Sequence, residues 1–192
     1  TAFVKRIHKM DPDIILQGAI FEIITTDVNS VPIPASVFEE FNIEAVNRNF
    51  DYKKMIYPFG RRVNHWNRGA SVPDMSQTET KMWFFYVAKR WIDMGLEAIH
   101  FGQVEIMDDR DRKHVHWRDV MASIRSYAKK HARRNFVLCD AHVPSGGIVH
   151  NGELMFDLHS FPSRPKSLKG QPHEAILEKG FNDSIYGRSA GG

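Results

Sequence analysis

A single cysteine, Cys139, in 192 residues excludes any internal disulfide, so the chain does not use the covalent frame of small secreted domains. That usage fits a reducing compartment, and equally a secreted enzyme built without disulfides. No stretch approaches the ~18 consecutive apolar residues that a membrane span needs. No signal-peptide pattern opens the chain, and a start at Thr1 rather than Met points to residues upstream and leaves export open. Neither a Gly-x-Gly-x-x-Gly nor a P-loop follows any apolar run, which argues against a nucleotide-binding doubly wound sheet. A strong charge of one sign is also missing: 26 Lys and Arg against 23 Asp and Glu give a formal net charge of +3. The densest basic patch is Arg125, Lys129, Lys130, Arg133 and Arg134. It falls on an expected helix and reads as a solvated face, so neither a nucleic-acid nor a membrane partner is expected.

What is present is an ordinary globular composition, 42% hydrophobic and 26% charged, enough for one domain with a real core. Residues 1–10 carry Phe3, Val4, Ile7 and Met10 at helical spacing, and Asp11-Pro12 ends that pattern. Residues 14–24 form an apolar, β-branched run that reads as a buried strand. A short helix is expected near 34–41, followed at 42–77 by a long stretch without periodicity, a length usually reserved for function. Ser76-Gln77-Thr78-Glu79 has the form of a capping box and opens a helix over 77–94, closed by Gly95. Further strands are expected at 97–107, 136–139 and 154–156, a second long helix at 114–134, and a last short helix at 173–179 after Pro172.

Buried strands alternating with helices argue for an α/β fold with a parallel sheet. Without a nucleotide fingerprint, the expected form is a (β/α) barrel or partial barrel spanning 1–192 as a single domain. Only four or five strands can be counted, where a complete eight-stranded barrel takes ~250 residues. The alternatives are therefore a trimmed barrel, part of a longer one incomplete at one or both ends, or an open sheet. The connection over 141–153, with Gly146-Gly147 and no helical pattern, is barely long enough for a parallel crossover, and a hairpin would fit it.

In parallel α/β folds the chemistry sits at the C-terminal ends of the strands. Here the first strand runs to Glu22, the second carries His100, Gln103 and Glu105, the third ends in Asp140 and His142, and the fourth in Asp157 and His159. A lone carboxylate at a strand end commonly caps the next turn, but four strands ending this way suggest one shared cleft. In each Asp-x-His unit the two side chains share a strand face, which suits a metal or a histidine oriented by a carboxylate. His114-Val115-His116 enters a helix and reads as surface, since side chains two apart there diverge by about 200°. Cys139 reads as a buried structural thiol. Trp66, beside His65 in a polar loop, is either a sugar-stacking platform or a plainly packed loop residue.

The strand-end glutamates, Gly102-Gln103-Val104-Glu105 above all and Gly18-Ala19-Ile20-Phe21-Glu22 second, resemble those of the (β/α)-barrel glycoside hydrolases. The resemblance covers roughly residues 14–162, lacks that superfamily's Asn-Glu pair, and shows no later strand ending in Glu. It implies a carbohydrate substrate and no cofactor, with Glu105 as general acid and Glu22, Asp140 or Asp157 as the partner carboxylate. His100, Gln103, His142, His159, Trp66 and His65 would then bind the sugar. Two other functions fit the same residues. One is a metal-dependent hydrolase with Asp140, His142, Asp157 and His159 as ligands. The other is a carbohydrate-binding barrel without catalysis.

Overall fold

The computed structural model describes residues 1–143, 147–159 and 163–179. The elements in chain order are α1 (Ala2–Met10), β1 (Gln17–Ala19), β2 (Ile24–Thr25), α2 (Ala35–Glu40), β3 (Ala70–Ser71), α3 (Thr78–Asp93), β4 (Ala98–Gln103), α4 (Val104–Met107), α5 (Val115–His131), β5 (Leu138–His142), β6 (Val149–His150), β7 (Glu153–Leu154), β8 (Leu158–His159), β9 (Ser163–Leu168) and β10 (Gln171–Lys179). Four strands make one parallel sheet in the order β1-β4-β5-β8. Alternation along β4 and β5 turns Ile99, Phe101, Cys139 and Ala141 to one buried face. Both long helices cover that face: Phe101 packs against Phe84 of α3 at 6.5 Å and Trp117 of α5 at 5.7 Å between ring centroids.

Each helix is held by its apolar stripe. Met82, Phe85, Ala88 and Ile92 are buried on α3, and Trp117, Val120, Met121, Ile124 and Ala128 on α5, the spacing of one helical face. The expected capping box at α3 does not form. Gln77 is the N-cap but its side chain makes no capping bond, and Glu79 is drawn away by a bidentate pair with Arg48, at 2.5 and 2.8 Å. A charged fork outcompetes a backbone cap for the same carboxylate. The bond ties the 42–77 stretch to the helix, and that stretch buries Phe50, Tyr52, Met55, Tyr57, Val72 and Met75 in the core.

The expected (β/α) barrel or partial barrel is not observed. Among the described residues the sheet is open, with β1 and β8 as its edges, and β8 is two residues long. Two features prevent continuation. The step from β5 to β8 is the antiparallel hairpin β6–β7 rather than a helix, and β9 and β10 pair only with each other. Asn151 and Gly152, both with positive φ (51° and 82°), make the hairpin turn, as a two-residue Asn-Gly loop demands. The helix expected at 173–179 is instead β10, because a strand partner across Lys169-Gly170 overrides a weak local preference. The fourth strand of the sheet starts at Leu158, beyond the 154–156 expected for it. Among the described residues, the face opposite the helices carries Gln17 and Leu158, both exposed, and His100 and Asp140, both half-buried.

Candidate functional site

The C-terminal edge of β1 and β4 carries Glu22, which is 6% exposed. Gln103 closes on it twice: its backbone N–H donates to Oε2 at 3.0 Å and its side-chain amide to Oε1 at 2.7 Å. The close approach depends on Gly102, whose φ is +61° and where a Cβ would overlap Glu22 Oε2. Trp66 is tied to the same spot, since its indole N–H donates to the Glu22 carbonyl at 2.9 Å. His65 stacks edge-on to Trp66 at 4.7 Å and is exposed. Both residues from the long loop thus stand beside Glu22.

On the sheet face opposite the helices, register places Asp140 of β5 next to His100 of β4. His100 Nδ1 lies 2.9 Å from Asp140 Oδ2, and the Gln17 amide donates to Asp140 Oδ1 at 2.6 Å. The carboxylate so held fixes the imidazole's orientation and tautomer. His142, paired in register with Gln103, is buried, with its ring 5.0 Å from that of His100. Phe21, exposed, meets His100 edge-on at 5.6 Å. Glu22, Gln103, His100, Asp140 and His142 thus gather at one edge and one face. Gln17, from the neighbouring strand β1, and Phe21, just beyond it, complete the group; neither belongs to a motif legible in the sequence.

Two expected members sit elsewhere. Asp157 precedes β8 instead of ending a strand, and its oxygens accept from the Cys139 backbone N–H at 2.8 Å and from Arg125 of α5 at 3.0 Å. That ties Asp157 to the β5 backbone and to the helix layer. Glu105 lies in the first turn of α4, half-buried; the pKa of nearby His114 is raised chiefly by Asp108, with Glu105 adding a lesser share. The His159 side chain falls outside the described residues. Cys139 is buried with its thiol pushed up to about 12, an inert group.

At the opposite end of β4, Glu97 is fully buried and ringed by two arginines and a histidine. Arg133 Nη1 reaches it at 2.8 Å, Arg134 Nε at 2.5 Å, and His8 Nε2 lies 3.1 Å away. Burial works to raise the Glu97 pKa, but the two guanidinium groups outweigh it and hold the carboxyl below its usual range.

Comparison with protein-family models, with curated proteins and with solved structures finds no match for this chain. No helix among the described residues is long and apolar enough to cross a membrane.

Proposed function

We propose that the chain carries a glycoside-hydrolase site at the C-terminal edge of β1 and β4. The observation that carries this reading is a buried carboxylate, Glu22, locked by neutral donors beside an oriented His100–Asp140 pair and two aromatic rings, Trp66 and Phe21. A glycosidic bond is cleaved between a carboxylate facing the anomeric carbon and a group that protonates the leaving oxygen. Glu22 fills the first role, being held still as an acceptor. His100, held by Asp140 at 2.9 Å, fills the second as the group that passes a proton to the leaving oxygen. The aromatic rings offer stacking faces, and Gln17 and His142 offer hydrogen bonds to hydroxyl groups.

The sequence alone assigned the acid to Glu105, and variants decide between the two donors. On a panel of aryl glycosides, Glu22→Gln and His100→Asn should each lower turnover by ~100-fold or more, the usual scale of acid–base and carboxylate contributions. Glu105→Gln should leave turnover nearly intact. The opposite outcome, loss in Glu105→Gln and retention in His100→Asn, moves the acid to Glu105. Sugar binding without turnover across the panel would mean a binding protein, and full activity in Glu22→Gln would end the reading.

A further inference from the structure

The loop from α4 to α5 brings together three ligand-type side chains that neither the strand ends nor the reading above uses. One ligand atom each of Asp108, Asp111 and His116 lies within 4.8 Å of the other two. We propose that Asp108, Asp111 and His116 form a Zn²⁺ site that pins the 108–116 loop to the start of α5. Two carboxylates and one imidazole are an N/O donor set that zinc accepts, leaving a position for water.

Asp111 by itself is explained without a metal. Its Oδ2 accepts from the Val115 N–H at 2.5 Å and the His116 N–H at 3.3 Å, and its Oδ1 from the Lys113 N–H at 3.0 Å, which caps α5. A cap needs neither Asp108 nor the imidazole of His116, whose Nε2 stands 4.0 Å from Asp111 Oδ2. The Asp108 side chain is only 2% exposed, and its Oδ2 makes no hydrogen bond. Its ion-pair neighbour, His114 Nδ1 at 3.4 Å, is also a buried atom without a hydrogen bond. Among the described residues, His114 alone faces this buried carboxylate oxygen, and a cation among the three ligands would give it a second, closer counter-charge. His114 would then stand behind Asp108 as an orienting group, the usual support of a ligating carboxylate.

The surroundings fit entry and modest affinity. Side-chain exposures of 17% for Asp111 and 32% for His116 leave a path from solvent, while Asp108 forms the floor. The loop is anchored from outside by Asp109, which pairs with Arg61 at 2.5 Å and Arg62 at 2.9 Å. Arg112, Lys113 and Arg118 line the adjacent cavity and weigh against tight cation binding, so affinity in the micromolar range is expected.

The test is calorimetric titration of the full chain with ZnCl₂ in metal-free buffer, beside thermal melts. It uses no substrate, so its outcome is independent of the glycosidase reading. One ion per chain and a raised Tm are expected. His116→Ala should melt like the wild type without metal, bind Zn²⁺ at least ~10-fold more weakly, and lose the metal-induced rise. Asp108→Asn should weaken binding in the same direction while keeping the side chain's shape. No saturable Zn²⁺ binding would overturn the proposal. So would binding that His116→Ala leaves unchanged, because the ion would then sit elsewhere.

Discussion

Glu97 stands just before β4, and Glu22 meets the other end of the same strand through Gln103. Both carboxylates are buried. Glu97 has two arginines and a histidine within ion-pair distance, whereas Glu22 is held by the neutral donors of Gln103. The difference shows that burial alone does not mark a carboxylate for chemistry. A charge matched by cations is a clamp between layers, here joining β4 to the end of α5. Glu22 is instead fixed by the neutral donors of Gln103 at the C-terminal edge of the parallel sheet.

The strongest way to break this contrast is to neutralise each glutamate in turn. Glu97→Gln strands Arg133 and Arg134 and should cost about 3 kcal/mol in urea unfolding, while Glu22→Gln should change stability by under about 1 kcal/mol. Equal costs would remove the distinction. Acid should report the same asymmetry. Because the folded pKa of Glu97 is depressed, its contribution is complete above the unfolded value of 4.5 and is lost as pH falls from there through the lower folded value. Wild-type stability should therefore drop over that range, and the Glu97→Gln variant should show a flatter profile.

A smaller effect on stability, and a larger one on activity, is expected at Gly102. Gly102→Ala places a methyl group against Glu22 Oε2 at a positive φ and should cost about 1–2 kcal/mol. Turnover should fall as far as it does in Glu22→Gln, because the carboxylate loses its seat. Retained turnover would show that Gln103 alone positions Glu22. The smallest effect belongs to Cys139. With its thiol pushed up to about 12, it should resist iodoacetamide in the native protein near pH 8 and react only after unfolding. Rapid native labelling would contradict its burial in β5.

Local patterning made the helix layer and the strand cores legible. The apolar stripes of residues 77–94 and 114–134 correspond to α3 and α5, and the apolar runs around Ile99 and Cys139 correspond to β4 and β5. These elements follow from periodicity and burial, which the chain states directly. The β6–β7 hairpin had its own signal in Asn151-Gly152, a turn pair whose conformation is set within two residues. The missing capping box marks a limit of local patterning, because Glu79 had a distant competitor in Arg48.

The sequence by itself determined an α/β chain with two amphipathic helices, parallel strands and polar residues clustered at strand ends. Only the tertiary structure decided that the sheet stays open, because closure depends on what pairs with an edge, and β9 and β10 pair with each other. Strand register, invisible in a linear pattern, set Asp140 beside His100 and His142 beside Gln103. Contacts between residues far apart in the chain separated the strand-end acids: Gln103 took Glu22 and Arg125 took Asp157, while Glu105 went into the first turn of α4. A residue type at a strand end fixes what chemistry is available there, while the partner that reaches it in space fixes whether that chemistry is used.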